Sequence, residues 1–441
     1  MKHKLKSTAG YFIILFCLLG MQSLQAQDST RSISLKEAID LSINNSHLLK
    51  NNKAKISEAT AAIEEANERR LPDVTVKGAY MYIPIQPTID LHKDTGSGFA
   101  GPRVTQAVYG IVNASLPIYT GGKLKYGIES AKYLEQAARL DAEDNRQAVI
   151  LNTINAYSNL YKSMITVKLV KDNLAQSNQR VKDFTSLEKN GLVARNDLLK
   201  ASLQSSNIEL ALLDAENNYK LASVNMALML GLPEQAVLVT DEASLQQNGS
   251  IKTIEEYEQQ AMLGRNDIGA LALRKKAADL SIKTAKANYL PNLALTAGYV
   301  AVELPNFLTL TNVITVGVGV NYSLSSLWKT KSTIQQAQAR VDQISAGQDM
   351  LNDNIRMQIN QAYQGYLLSL KKIDVYQKAV DQAAENYRIT KNKFDNSLAT
   401  TTDLLDADLA QLQTKLNVSN AAADAVVAYN KLLQTAGLLN N

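Results

Sequence analysis

The chain has 441 residues, 46% of them hydrophobic, which excludes a disordered polymer and leaves room for two or three domains. Its formal charge is +4, from 46 basic against 42 acidic residues. The signs are interspersed, so the basic stripe of a nucleic-acid-binding protein is missing and no nucleic-acid partner is expected. Only 8 Pro, 3 His and 1 Cys occur, while Ala, Leu, Gln, Asn and Lys abound, a helix-forming composition.

Residues 1–26 read as a secretory signal: Lys2, Lys4 and Lys6 form its basic start, an apolar run follows, and "SLQA" ending at Ala26 supplies a small-residue cleavage site. Removing those three lysines leaves 43 basic and 42 acidic residues, a charge near +1. Phe16 precedes Cys17 where lipoprotein cleavage takes a small residue, which argues against lipidation, and the mature chain then has no Cys. Nothing later reaches the roughly 18 consecutive apolar residues of a membrane helix.

A helical lead-in covers residues 34–70 and is followed by two strand-like segments joined by a long loop, 84–103. The first strand, 73–83, carries Lys77; in the second, Val108, Gly110, Val112, Ala114 and Leu116 alternate with Tyr109, Ile111, Asn113 and Ser115. Two very long helical stretches come next, joined around Asn190. A connection, 233–252, leads to a second lead-in at 253–289, a third strand at 292–302 and a loop at 303–311. In the fourth strand Val316, Val318, Val320, Tyr322 and Leu324 alternate with Thr315, Gly317, Gly319, Asn321 and Ser323. Residues 329–394 read as one helix roughly 100 Å long, and a turn at Asn396 leads into the last helix. Ile373, Tyr376, Val380, Ala383, Tyr387, Thr390 and Phe394 step by three and four, the seam of a coiled coil. No Pro falls between Pro117 and Pro233 or after Pro305, so none interrupts a long helix.

The chain is written twice. "NGLVARNDLLKASL" at 190–203 lies over "NSLATTTDLLDADL" at 396–409 at an offset of 206, and "RRLPDVTVKGAY" at 69–80 lies over "NYLPNLALTAGY" at 288–299 at an offset of 219. The expected organisation is a first structural repeat at 27–232, a connecting segment at 233–252 outside the helical wall, and a second repeat at 253–441.

The strand candidates have about the 9–11 residues of a tilted membrane strand, with one apolar face and one small or polar face. An open sheet would leave unpaired backbone groups in lipid at several kcal/mol each, so it must close. Barrels need at least eight strands, so four per chain require several chains. Tyr82, Tyr109, Tyr119, Tyr322 and Trp328 near the strand ends suit an interfacial belt. A small soluble sheet with one buried face would alternate in the same way.

These residues resemble the TolC-like outer membrane efflux protein family over nearly the whole mature chain: the repeat, the "LP" before the first strand of each half, the strand pairs, and the tip motifs "NGLVARNDLL" and "NSLATTTDLLDAD". The resemblance implies a mainly α fold with a small membrane β part. In it, long antiparallel coiled-coil helices form a periplasmic α-barrel, and four strands per chain join a 12-stranded trimeric outer-membrane β-barrel. It also implies a passive duct that works with a periplasmic adaptor and, indirectly, an inner-membrane pump of RND or ABC type. Gly191, Leu192 and Val193, with Ser397, Leu398 and Ala399, match the tip positions where adaptor hairpins dock; the family often has Gly where Ser397 stands. Asp403 and Asp406 match paired aspartates that face the lumen at the closed end. A ring of such carboxylates attracts cations and raises its own pKa values. Asp197 and Lys200 are the first-half equivalents, and Asp408, two residues past Asp406, faces elsewhere.

An enzyme is not expected, and no cofactor or resident metal: the mature chain holds only His47 and His92, forty-five residues apart, with no phosphate loop or nucleophile motif. Paired carboxylates hydrolyse glycosides only around a cleft. The rival from another class is a soluble periplasmic coiled-coil scaffold or adaptor, which explains the heptads and signal but not four alternating segments.

Overall fold

The computed structural model describes residues 31–85, 104–241, 251–305 and 307–439. The signal segment, Cys17, most of the 84–103 loop with His92, and residues 242–250 of the inter-repeat connection lie outside them.

Each half opens on a helix that breaks once: α1 (Leu35–Asn45) and α2 (His47–Glu68) in the first, α5 (Ile254–Gly264) and α6 (Asn266–Lys286) in the second. The sequence predicted one unbroken stretch in each case. The breaks fall at Ser46 and Arg265, equivalent positions in the 219-residue offset, both with extended backbone (ψ 120° and 131°). Ser46 caps α2 through its side chain, accepting from the Leu49 N–H.

The strands β2 (Asp73–Tyr82), β3 (Gln106–Tyr119), β5 (Asn292–Leu304) and β6 (Leu308–Asn321) form one antiparallel sheet in the order β2-β3-β5-β6. Its register sorts the faces. Val76 pairs with Val112, Val112 with Tyr299 and Tyr299 with Ile314, an apolar row; the neighbouring row, Thr75, Asn113, Gly298 and Thr315, is polar or small. Lys77, two residues on from Thr75, shares the face of that polar row, although its own row continues with Ile111, Val300 and Val313. The apolar face is open: Val76 is 76% and Val316 75% exposed. Pro117 lies past Ser115, where pairing to β2 ends, so its missing donor costs no ladder bond there.

The expected loop at 303–311 is corrected: β5 and β6 run through it, leaving only residues 305–307 between them. A register shift opposite Val300 and Val302 inserts an extra residue in β6, with Asn312 left-handed at φ 59°. Such a bulge disguises a continuous strand as a turn.

Each strand continues into a helix. β3 leads through Gly121 and Gly122 into α3 (Lys123–Lys189), and β6 leads into α7 (Ser326–Asp395), about 105 Å long at its 70 residues. Near the sheet the helices keep the strand order: α3 packs on α2 and α6, and α6 on α7. Farther away α4 (Arg195–Leu230) pairs with α3 and α8 (Thr401–Thr435) with α7, while α3 touches α8.

Two cores lock the middle of this wall, one per half. Tyr157, Met226, Leu230 and Leu238 pack with Ile33 and Ala38 in the first; Tyr257, Ile355, Ile359 and Leu432 pack in the second. Each closes on the helix break. Asn45 Nδ2 donates to the Leu230 carbonyl at 2.7 Å, and Arg265 Nη1 donates to the Thr435 carbonyl at 2.8 Å, capping the last helix of its own half. Gly231 (φ 69°) and Gly437 (φ 71°) end those helices, and a Cβ on Gly231 would meet Asn45 at 2.8 Å. Part of the inter-repeat connection is structured: β4 (Leu238–Thr240) pairs in parallel with β1 (Arg31–Ile33).

Candidate functional site at the helical tips

The ends of the α3/α4 and α7/α8 hairpins turn in the same way. Gly191 is left-handed at φ 71°, its N–H bonds to the Glu188 carbonyl, and the Leu192 N–H reaches back to Leu187 at 2.9 Å. Ser397 is left-handed at φ 64°, its N–H bonds to Phe394, and the Leu398 N–H reaches Lys393 at 2.7 Å. Both are helix ends closed by a six-to-one bond with a left-handed residue. Asn190 and Asn396 add side-chain bonds to carbonyls four residues back. Ser397 thus holds a conformation that costs an L-residue roughly 1–2 kcal/mol.

Leu192 is 72% and Leu398 77% exposed at the apex of each turn, while Val193 and Ala399 beside them are half-buried. Beneath the tips Phe184 of α3 and Phe394 of α7 stack at 5.4 Å, joining the two hairpins.

The tips differ at the start of the returning helix. Ala194 caps α4 without a side-chain bond, whereas Thr400 and Asp403 form a reciprocal capping box on α8. Asp403 accepts from the Thr400 hydroxyl at 2.7 Å and from its backbone N–H at 2.9 Å. The spacing Thr-x-x-Asp in "TTTD" was a readable signal for this. Those hydrogen bonds from Thr400 hold the Asp403 carboxyl below its ordinary value, so within one chain the shift runs opposite to the one expected of a carboxylate ring.

Asp406, one turn on, is exposed on the same side as Asp403 and makes no ion pair among the described residues. In the first half Lys200 lies 3.7 Å from Asp197 and donates to the Thr402 hydroxyl at 3.4 Å, bringing a positive charge beside the start of α8.

Asp408 has a different fate. It is 3% exposed, and its Oδ2 accepts from Arg180 Nη1 at 3.1 Å and from Asn173 Nδ2 at 3.3 Å, both on α3. Arg180 Nη2 donates to the Tyr387 hydroxyl of α7 at 3.4 Å. Burial opposes the Arg180 charge, but Asp408 outweighs it and holds the guanidinium above its ordinary pKa. Asp408 Oδ1 is shielded without a partner among the described residues. Sequence reasoning missed this network because Arg180 lies 228 residues from Asp408. The available signal was a carboxylate four residues from Leu404 and Leu412, on a packed stripe.

Long hairpins with matched turns thus run continuously into an open sheet whose apolar face is bare. The chain belongs to the outer membrane efflux protein family, whose pattern matches residues 38–232 and 258–438. That family consists of transport conduits of the outer membrane rather than enzymes. Outer membrane efflux protein BepC of Brucella suis biovar 1 is 23% identical over 332 residues, 73% of this chain and 70% of that protein. Outer membrane protein TolC of Vibrio cholerae is 22% identical over 348 residues, 77% of this chain and 78% of that protein. The crystal structure of outer membrane protein VceC from Vibrio cholerae shares the fold with a TM-score of 0.73 at 18% identity, over 91% of this chain and 96% of that one.

Proposed function

We propose that three copies of this chain form an exit duct of a tripartite efflux or secretion system, with an outer-membrane barrel of twelve strands and a periplasmic helical tube closed at its tips. The observation that carries this reading is the four-stranded sheet with two unpaired edges and a bare apolar face. Such a sheet is untenable in lipid until its edges are paired. Three copies of four strands exceed the minimum of eight, and joining β6 to β2 of the next copy removes both edges.

The helical layer supports the same closure. α7 flanks the wall along its whole length and leaves Val375 (53%) and Ile389 (40%) exposed, while α4 on the opposite flank exposes Leu199, Leu203, Leu210 and Leu213. Apolar stripes on both flanks suit a seam between neighbouring copies. The exposed leucines at the two tips suit the hairpins of a periplasmic adaptor, through which an inner-membrane pump of RND or ABC type delivers cargo.

In this assembly Asp403 and Asp406 of three copies surround one axis and act as a cation-attracting gate. Replacing both with Ala should raise the resting conductance of the purified protein in a planar bilayer and weaken block by multivalent cations. Unchanged conductance together with unchanged block would reject the gate.

A further inference from the structure

A groove of about 670 Å³ runs between α6 and α7, directly below the strands β5 and β6 that adjoin them. Ser281, Thr284 and Asn288 line one wall; Thr333, Gln336 and Arg340 line the other. Both walls belong to one chain, so the groove exists before any assembly. The exposed Arg340 side chain makes no hydrogen bond or ion pair among the described residues.

The surroundings are basic. Lys286 stands in the last turn of α6 and Lys329 and Lys331 in the first turns of α7, all exposed; Lys283 turns instead over the Tyr126 ring of α3, and the nearest acids along the two helices are Asp279 and Asp342. The corresponding end of α2 is net negative, with Glu64, Glu65 and Glu68 against Arg69 and Arg70, and Lys123 and Lys125 open α3. The positive charge is therefore concentrated on the α6/α7 side.

The height of the groove also matters. Trp328, 66% exposed, sits at the head of α7 beside exposed Leu324 and Leu327, an arrangement suited to the boundary between hydrocarbon and headgroups. Thr333 follows about 8 Å along the axis and Arg340 about 18 Å, and helical side chains lean toward the N-terminus, here toward the bilayer. Hydroxyls, amides and an unpaired guanidinium are the donors that a phosphodiester needs.

We propose that this groove binds the phosphate-bearing headgroup of an anionic phospholipid from the periplasmic leaflet, with Lys329 at its mouth and Arg340 at its lower end. The site rests on the membrane placement of the sheet proposed above.

The chain's single Trp is a built-in reporter. The full-length protein in vesicles of phosphatidylcholine is titrated with phosphatidylglycerol or phosphatidylcholine carrying brominated acyl chains, and quenching of Trp328 is followed. Brominated phosphatidylglycerol should quench at a lower mole fraction, by about five-fold per cation engaged. The double variant Lys329→Gln/Arg340→Gln should lose the preference, whereas Arg356→Gln, farther down α7, should keep it. Equal quenching by the two lipids in the parent protein, a preference that survives the double variant, or a loss shared by Arg356→Gln would overturn the site. Absence of quenching by either lipid would overturn the membrane placement itself, a distinct result.

Discussion

Asp408→Asn is the sharpest perturbation of the tip. It keeps the shape of the side chain but leaves Arg180, whose side chain is 9% exposed, as a buried charge without its counter-ion. At 3.1 Å and an effective dielectric of 20 the Coulomb attraction is about 5 kcal/mol. Breaking such a pair by removing one partner typically costs about 3–5 kcal/mol. The Tyr387 hydroxyl still accepts one hydrogen bond from the guanidinium, which sets the expectation at about 3 kcal/mol. Amide hydrogen exchange in α3 around residues 173–184 and in α8 around 404–411 should accelerate about 100-fold, with little change in the two equatorial cores. The double variant Arg180→Met/Asp408→Leu, which removes both charges, should restore most of the protection. If Asp408→Asn exchanges like the parent protein, or if the double variant is worse than the single one, the buried pair does not hold α8 against α3.

Other consequences can be read independently. Ser397→Gly should stabilise the second tip by about 1 kcal/mol and Gly191→Ala should destabilise the first by a similar amount, both read by exchange in the adjoining helix ends. No atom lies within 4 Å of a Cβ built on Gly191, so its cost is purely conformational. Asp144 is pushed up by burial and then by Asp267, so the folded state holds its proton more tightly than the unfolded chain does. Its ionised form is a liability at neutral pH that fades as pH falls through its raised pKa toward the unfolded value. Asp144→Asn should therefore raise the thermal midpoint at pH 7 and leave it unchanged near pH 4; a gain of equal size at both values would contradict that assignment.

Much of the fold is legible in the sequence because long proline-free runs with a three-four step admit only helices. The reading of 329–394 falls within a few residues of α7 at both ends. Strand alternation is equally plain where one face stays apolar, as from Ile314 to Val320. Legibility stops where a local feature imitates another: the bulge at Asn312 hid the tight β5–β6 hairpin, and the breaks at Ser46 and Arg265 carry no Pro, only the capping Ser46 in one and Gly264 in the other. It also stops where partners are remote. Nothing local joins Asn45 to Leu230 or Arg180 to Asp408, and those contacts decide how the halves close and how the tips are held. The capping role of Asp403 was readable from Thr400 three residues before it, yet its charge drew attention first.

The central claim is that the open sheet of one chain is closed by two more copies in the outer membrane. Native mass spectrometry of the protein extracted from an isolated outer-membrane fraction tests it directly. The account predicts an assembly with the mass of three chains; a single-chain mass, or recovery of the whole pool in the periplasmic extract, would contradict it.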